Sequence, residues 1–339
     1  MENKSYKDLS LAETVDRLCE KKDTLLLCHA RPDCDTVGSA LALGKLLMAM
    51  GMKAHIICES ELPHRLEFLP LDQKSLLEEN IPEDFKAERV ISVDTASPMQ
   101  LGDLEGKYLE RVELMIDHHG KGQRYADGYI IPDLSATGEI IFAISREMLR
   151  RGAIDEIPEG VDFCIYAAIS SDTGCFKYSS VTPQTHMVAA SLLRSGIDAS
   201  YINHKLFDSK PFIQLKTEML GFDKLELHNE GKIGIICFTY EMKKENGILD
   251  QYMETLVDVA RSVEGVEVSA VIRQPKDESV FRCSMRSSCD VDVSAICASL
   301  GGGGHVKAAG CTLYADSMES AKNIVIEKIK NEYCNMQFP

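Results

Sequence analysis

The stretch TLLLCHARPDCDTVGSALALGKLLMAM, residues 24–50, joins an apolar run, a polar loop and a second, longer apolar segment. The run TLLLCH is typical of a buried strand, and the segment from Ser39 to Met50 predicts a helix that begins at Ser39. This helix is apolar nearly all round, as expected for a helix buried against a sheet. Strand, loop and helix in this order predict the first unit of a parallel sheet.

The same alternation continues through the first half of the chain. Three further apolar runs predict strands: KAHIICE (53–59), RVISVD (89–94) and VELMIDHH (112–119). Helices are predicted at SATGEIIFAISREMLRRG (135–152) and GVDFCIYAAISS (160–171). Strands separated by crossovers of this kind predict an α/β domain, a parallel sheet flanked by helices.

The second half of the chain begins with a more polar, helical pattern that suits a connector. Beyond the connector, KIGIICFTY (232–240), VEVSAVIRQ (266–274) and SVFRCSMRS (279–287) predict the strands of a second, smaller α/β domain. We therefore predict a catalytic domain over residues 1–190, a helical connector over 191–230 and a substrate-binding domain over 231–339. The active site is expected in the cleft between the two domains.

The composition limits the class of protein. A formal net charge of -16 argues against a broad electrostatic grip on duplex DNA. No apolar stretch approaches the length of a membrane span, and the N-terminus lacks the apolar centre of a signal peptide. The 12 cysteines are scattered without a CxxC pair and are interpreted as free thiols. We expect a cytoplasmic protein that uses neither a membrane nor duplex DNA.

Polar residues follow several of the predicted strands at the point where each strand ends. His29, Asp94 and the triplet from Asp117 to His119 stand at strand ends, and Asp172 follows CIYAAISS. The carboxyl ends of parallel strands meet at one edge, so these residues are expected to converge. A set rich in Asp and His favours manganese or magnesium, and its size predicts two ions that share a carboxylate. The pattern therefore indicates a two-metal phosphoester hydrolase.

Several motifs also resemble those of a known family. HARPDCDTVGS, VDTAS, IDHHG and SSDTGCFKYSS resemble, in order and spacing, the four motifs of the DHH phosphoesterase superfamily. FRCSMRSS and SLGGGGHVKAAG resemble its DHH-associated domain. Within the superfamily, the chain looks most like the stand-alone nanoRNase/pAp phosphatase group. The resemblance implies a metal-dependent phosphohydrolase.

The resemblance implies a role for each matching residue. The implied metal ligands are His29 and Asp33 for one ion, Asp35, His118 and Asp172 for the other, and Asp94 for both. Asp94 and His119 would act in catalysis, the latter at the scissile phosphate, and Asp117 would orient the neighbouring histidine. The implied cofactors are two divalent cations, with Mn²⁺ preferred and Mg²⁺ or Co²⁺ as alternatives.

The second domain is expected to bind the nucleotide end of the substrate. Alternation along VFRCSMRS places Arg282, Ser284 and Arg286 on one face. Arg286 is the best candidate for a phosphate contact, and the alternative is that Arg286 forms a surface salt bridge. The glycines at 301–304 would let backbone N–H groups approach an anion, although a helix stop competes as an explanation. The predicted substrate-binding residues are Arg286, Ser287, Gly302, Gly303, Gly304 and His305.

The leading hypothesis is hydrolysis of short single-stranded RNA, of 3'-phosphoadenosine 5'-phosphate (pAp), or of both. The alternatives are a phosphodiesterase acting on pApA or cyclic di-AMP, and a nucleotide-binding regulator without catalysis, which predicts a broken ligand set. Single-strand DNA exonuclease and pyrophosphatase activities fit the chain's length and its glycine segment less well. A homodimer is compatible with the sequence but not required by it. Cys34 and Gln100 depart from the family pattern, which often has glycine and arginine there.

Overall fold

The computed structural model describes residues 5–73, 75–120, 122–253 and 255–337, without the side chains of His305 and of residues 334–337. The chain divides into two compact units, Met1–Ser209 and Lys210–Pro339. The division falls inside the predicted connector.

The first unit is built on a five-stranded sheet. Its strands are β1 (Thr24–Leu27), β2 (Ala54–Ile57), β3 (Arg89–Val93), β4 (Val112–Asp117) and β5 (Asp127–Ile130). They lie in the order β2-β1-β3-β4-β5, and every neighbouring pair is parallel. The predicted parallel sheet is confirmed. Strand β5 was not predicted from the sequence. It is an edge strand that buries only one of its residues, so it has no apolar run that would indicate a strand.

Helices flank this sheet. The α-helices in the described part of the unit are α1 (Leu11–Cys19), α2 (Cys34–Ala49), α3 (Glu105–Tyr108), α4 (Thr137–Arg150), α5 (Val161–Asp172), α6 (Pro183–Arg194) and α7 (Ala199–Asn203). Short 3₁₀ turns occupy His64–Leu66, Glu78–Asn80, Pro98–Leu104 and Leu109–Arg111, and a π turn occupies His204–Asp208. The predicted arrangement of helices around a parallel sheet is therefore confirmed.

Helix α2 begins at Cys34, and the prediction that it begins at Ser39 was wrong. The side chain of Asp33 accepts hydrogen bonds from the N–H groups of Asp35 and Thr36 at 3.0 and 3.1 Å. These bonds satisfy N–H groups that have no partner inside the helix, so Asp33 is the N-cap. The polar loop is consequently one turn shorter than the sequence suggested.

Two glycines allow three helices to meet beside the sheet. A Cβ atom added at Gly38 of α2 would lie 2.8 Å from the carbonyl oxygen of Cys164, and one at Gly138 of α4 would lie 2.9 Å from Cβ of Ala168. Both neighbours belong to α5. Because neither position has room for a side chain, α2 and α4 pack directly against α5.

The second unit contains a six-stranded mixed sheet. Its strands are β6 (Leu225–His228), β7 (Ile233–Phe238), β8 (Val268–Arg273), β9 (Val280–Ser287), β10 (Gly303–His305) and β11 (Ala308–Tyr314). They lie in the order β10-β11-β9-β8-β7-β6, with β7 and β8 parallel and the other pairs antiparallel.

Helices complete the second unit. They are α8 (Phe212–Asp223), α9 (Tyr240–Asn246), α10 (Leu256–Arg261), α11 (Val293–Ser299) and α12 (Met318–Gln337), with a 3₁₀ turn at Asp250–Met253. A second, smaller α/β domain is therefore confirmed. None of the helices in the described ranges is long and apolar enough to cross a bilayer. The 11 cysteines whose side chains the structure describes are free thiols.

Candidate metal centre

The four predicted motifs of the first unit meet at the carboxyl edge of its sheet. His29 lies two residues beyond β1, Asp94 directly follows β3, and His118 directly follows β4. Asp33 and Asp35 lie at the start of α2, and Asp172 is the last residue of α5. Three motifs therefore arrive from strand ends, whereas the fourth arrives from the end of a helix.

The side chains form groups in which the possible ligand atoms all lie within 4.8 Å of one another. The groups are His29, Asp33 and Asp94; Asp35, His118 and Asp172; and Asp94, His118 and His119. Within the first group, Nε2 of His29 lies 3.5 Å from Oδ2 of Asp33. Within the second, Nε2 of His118 lies 3.5 Å from Oδ2 of Asp172. Each group combines carboxylate oxygens with an imidazole nitrogen.

Asp94 belongs to the first group, and its two oxygens face the histidines of the first and second groups. Oδ2 lies 3.8 Å from Nε2 of His29, whereas Oδ1 lies 3.7 Å from Nε2 of His118. The backbone of Asp94 has a φ of 57°, which is uncommon for a residue with a side chain, and its N–H donates to the carbonyl of Ile116 at 2.8 Å. A strained turn at the strand end thus accompanies a carboxylate that is shared between two groups.

Hydrogen bonds fix one nitrogen of each imidazole in the DHH triplet. Nδ1 of His118 lies 3.0 Å from the carbonyl oxygen of Leu134, so this nitrogen carries the proton and Nε2 faces the carboxylates. Nδ1 of His119 lies 2.7 Å from Oδ1 of Asp117. The same Oδ1 accepts the backbone N–H groups of His118 and His119 at 2.8 and 3.2 Å. Asp117 is buried, and through these hydrogen bonds it orients both histidines that follow it.

Burial and mutual repulsion make three of the candidate ligands, Asp35, Asp94 and Asp172, poor anions in the absence of a cation. Burial, followed by the charge of nearby carboxylates, raises the pKa of Asp35 and of Asp172 to about 7 and that of Asp94 to about 6. For His29, burial lowers the pKa, but its hydrogen bond to Asp33 and the carboxylate charges outweigh burial and raise it to about 9. Bound divalent cations would neutralise the charge of these carboxylates, and the oxygen and nitrogen donors of the site fit such ions.

The predicted substrate-binding residues of the second unit do not all lie on the same face of its sheet. Strand β9 alternates as expected, with Phe281, Cys283 and Met285 buried and Arg282, Ser284 and Arg286 more exposed. The strand register aligns Arg286 with Ala308, and Ala308 with His305, in one row across the sheet. Ser287 points to the other face, where it is buried and its hydroxyl donates to the carbonyl of Cys289 at 3.0 Å. The side chain of His305 lies outside the described part of the chain.

The first glycine of the GGGG segment ends α11. Gly301 has a φ of 77°, a conformation that favours glycine. Its N–H donates to the carbonyl of Ala298 at 3.1 Å, and the N–H of Gly302 donates to that of Cys297 at 2.8 Å. This is the Schellman pattern of helix termination, so the helix-stop alternative is correct for Gly301.

The next glycines differ in how tightly they pack. A Cβ atom at Gly302 would lie 2.2 Å from the carbonyl oxygen of Gly310, and one at Gly304 would lie 2.5 Å from that of Ala308. Nothing lies within 4 Å of a Cβ atom at Gly303. Packing therefore explains Gly302 and Gly304, whereas the space that a side chain would occupy at Gly303 is empty.

The two departures from the family pattern have structural partners. Cys34 is buried and belongs to the hydrophobic core of the first unit. Oε1 of Gln100 accepts the N–H of Ala96 at 2.6 Å, and the carbonyl of Gln100 accepts the N–H of Ala30 at 2.7 Å. Gln100 thus connects the loops of the first and second motifs.

Sequence reasoning missed three residues that bind the carboxylates. Ser39 Oγ donates to Oδ1 of Asp35 at 3.1 Å. At the start of α4, the backbone N–H groups of Thr137 and Gly138 donate to Asp35, and the hydroxyl of Thr137 donates to Asp94. The sequence TGE, at the predicted start of a helix, could have indicated these contacts, because the N–H groups at a helix N-terminus attract anions.

Comparisons with known proteins agree with this geometry. The description "DHH family, N-terminal domain" matches residues 23–169, and "DHHA1 domain" matches residues 234–331. The bifunctional oligoribonuclease and PAP phosphatase NrnA of Thermus thermophilus is 28% identical over 90% of this chain and 88% of its own length. A probable NrnA of Streptococcus mutans is 26% identical over 89% of this chain and 95% of its own length.

A solved structure agrees with the fold over nearly the whole chain. An exopolyphosphatase-related protein from Bacteroides fragilis superposes with a TM-score of 0.86 at 21% identity, covering 95% of this chain and 96% of that one. At this identity the likeness supports the fold alone. The two family models, which match residues 23–169 and 234–331, show that the chain contains a DHH-family N-terminal domain followed by a DHHA1 domain.

Proposed function

We propose that this protein is a two-metal phosphoesterase that hydrolyses short RNA oligonucleotides, pAp, or both. The observation that supports this most directly is the position of Asp94, whose two oxygens face His29 and His118 separately. A carboxylate shared in this way suits two cations that act together on one phosphoryl group. The substrate class follows from the likeness to oligoribonucleases and PAP phosphatases.

Six side chains would hold the cations. They are His29, Asp33 and Asp94 for one ion and Asp35, Asp94, His118 and Asp172 for the other. When bound, such ions polarise phosphoryl oxygens and lower the pKa of water. Mn²⁺ is the ion that we propose, with Mg²⁺ and Co²⁺ as alternatives, because oxygen and imidazole donors suit all three.

The chain itself contributes a charged imidazole at the site. Burial lowers the pKa of His119, but the hydrogen bond to Asp117 and the charge of Asp94 outweigh burial and raise it to about 9. His119 is therefore positively charged near neutral pH. In our proposal it stabilises the charge that develops on the phosphate, while Asp117 keeps the ring in place.

The second unit would bind the nucleotide end of the substrate. Arg286 offers a guanidinium on an accessible face of β9, and the space that a side chain would occupy at Gly303 is empty. We retain His305 in this proposal, together with Gly302 and Gly304 as the frame that holds Gly303. Ser287 would act only by supporting the strand from its buried face.

The competing functions make different demands on the site. A regulator without catalysis predicts a missing ligand, whereas every ligand implied by the family resemblance is present and lies within reach of the others. Cleavage of pApA or cyclic di-AMP would use the same metal centre and is distinguished by substrate alone. A cytoplasmic location and the absence of duplex DNA and membranes among the partners remain part of the proposal, and a homodimer stays open.

The test is a substrate panel. Purified protein would be incubated with Mn²⁺ and RNA dimers to pentamers, pAp, pApA, cyclic di-AMP, single-stranded DNA and pyrophosphate, and the products would be separated by chromatography. We expect fastest turnover of short RNA or pAp and none in the presence of EDTA. Inactivity on every phosphoester by protein that has bound Mn²⁺ would refute the proposal. A strong preference for pApA or cyclic di-AMP would favour the alternative.

A further inference from the structure

The first turn of α4 makes contacts outside its own helix. Its N-cap, Ala136, has no side chain that could accept a hydrogen bond. Instead the N–H of Thr137 donates to Oδ2 of Asp35 at 2.7 Å, and the N–H of Gly138 donates to Oδ1 of Asp35 at 2.9 Å. Asp35 belongs to α2, so a carboxylate from another helix satisfies N–H groups that α4 leaves without partners.

Thr137 also contacts the carboxylate that faces both histidines. Its Oγ1 donates to Oδ1 of Asp94 at 2.9 Å, and the residue is fully buried. A threonine near a helix start more often bonds to the backbone of its own helix. Here one residue holds Asp35 through its backbone and Asp94 through its side chain.

We propose that Thr137 is a positioning residue that fixes the carboxylate plane of Asp94 relative to Asp35, so that the two oxygens of Asp94 stay directed at different cations. This inference rests on the proposed two-metal site. It assigns to Thr137 no contact with substrate.

The physical reason lies in the last torsion of an aspartate, which is broad and does not by itself define the carboxylate plane. Oδ1 of Asp94 lies 3.7 Å from Nε2 of His118 and 3.6 Å from Nδ1 of His119, so nearby imidazoles compete for it. The hydroxyl of Thr137 adds a directional bond at 2.9 Å from a backbone position that the Asp35 bonds hold in place. Without that hydroxyl, Asp94 can rotate between its neighbours.

The experiment compares three variants with the unaltered protein. Thr137→Val removes the hydroxyl at nearly constant volume, and Thr137→Ser keeps it. Both variants retain the N–H bond to Asp35. Thr14→Val is the control, because Thr14 is also fully buried and its hydroxyl donates at 2.9 Å to a backbone carbonyl, that of Ser10, instead of a carboxylate.

Three measurements would be made. Electron paramagnetic resonance of free Mn²⁺ gives the affinity and stoichiometry of binding, and the spectrum of the bound ions reports spin coupling through a shared carboxylate. Thermal unfolding in EDTA reports the integrity of the metal-free fold. Turnover is measured last.

We expect Thr137→Val to weaken Mn²⁺ binding by about 10- to 100-fold, the usual effect of losing a group that orients a ligand, and to reduce the coupled signal. Thr137→Ser should stay close to the unaltered protein, and Thr14→Val should change only thermal stability. Unchanged affinity and coupling in Thr137→Val would overturn the inference, as would equal losses in Thr137→Val and Thr137→Ser. If the unaltered protein itself binds no Mn²⁺, the proposed two-metal site fails, and with it this inference.

Discussion

Oδ1 of Asp117 lies 2.7 Å from Nδ1 of His119 and also accepts the backbone N–H of the same residue at 3.2 Å. One buried oxygen thus holds both the main chain and the ring of a histidine two positions later. The first His of the triplet is held differently, through its ring and the carbonyl of Leu134. The rings of the two adjacent histidines are therefore fixed by different partners.

Replacement of Asp117 by Asn should lower the pKa of His119. The pKa of about 9 depends on the hydrogen bond to Asp117 and the charges of Asp94 and Asp117, which outweigh the opposing effect of burial. An amide removes one of those charges while keeping an acceptor. NMR titration of the imidazole in metal-free protein would measure the change. An unchanged pKa would show that Asp94 alone keeps the ring charged.

Replacement of Asp94 by Asn should abolish most turnover. Loss of the shared charge removes several kcal/mol of transition-state stabilisation from the metal pair, so kcat should fall by at least about 10³-fold. Calorimetry should also show weaker binding of Mn²⁺. Asp155→Asn is the control, because Asp155 is an exposed acid of the same unit. Activity within about threefold of normal for Asp94→Asn would contradict a bridging role, since loss of a metal-bound charge has larger effects.

Stabilisation by Mn²⁺ should increase with pH. In metal-free protein the pKa values of Asp35 and Asp172 are about 7 and that of Asp94 about 6, mainly through burial, whereas carboxyl groups of the unfolded chain titrate near about 4. The folded state therefore binds more protons between these values, and its free energy of unfolding falls as pH rises through them. The histidines with raised pKa values extend this loss to alkaline pH.

Cation binding reverses this loss because it requires the deprotonated carboxylates and neutral imidazoles. Thermal unfolding with Mn²⁺ and with EDTA, at about pH 5.5 and about pH 8, should give a larger difference in Tm at the higher pH. An equal difference at both values would mean that the cations bind elsewhere.

Substitution of Gly38 by Ala should destabilise the first unit. The added Cβ would lie 2.8 Å from the backbone oxygen of Cys164, so α2 must move away from α5 at a cost of about 1–3 kcal/mol. Gly44→Ala on the same helix is the matched control, because its Cβ would have an ordinary nearest contact of 3.5 Å. That control should be stabilised by about 0.5–1 kcal/mol. Urea unfolding would measure both, and similar values for the two variants would contradict the packing argument.

Substitution of Arg286 by Met should raise KM more than it lowers kcat. Loss of a charged hydrogen bond to phosphate corresponds to about 1.5–3 kcal/mol, or roughly 10- to 150-fold in KM. Arg282→Met is the matched control, because Arg282 lies on the same face of β9 and is exposed. Initial rates on a short RNA would separate the two parameters. Equal effects of both substitutions would indicate nonspecific attraction by charge.

Part of the fold was predictable from local pattern. Apolar runs such as RVISV and VELMI indicate buried strands whatever their neighbours are, and their alternation with apolar helices requires a parallel sheet. The same logic located His29, Asp94 and the DHH triplet at one edge. The edge strand β5 escaped this reasoning, because a strand with one buried residue has no apolar run to detect.

The details of the site depended on contacts between distant segments. The sequence by itself determined which residues could bind cations and that strand ends would bring most of them together, since chain direction sets the position of each strand end. Only the tertiary structure decided that Asp33 rather than Ser39 caps α2, that Asp94 faces two histidines, and that Thr137 holds Asp94. Hydrogen bonds across 43 and 102 positions join Thr137 to Asp94 and to Asp35, and no local pattern encodes such partners.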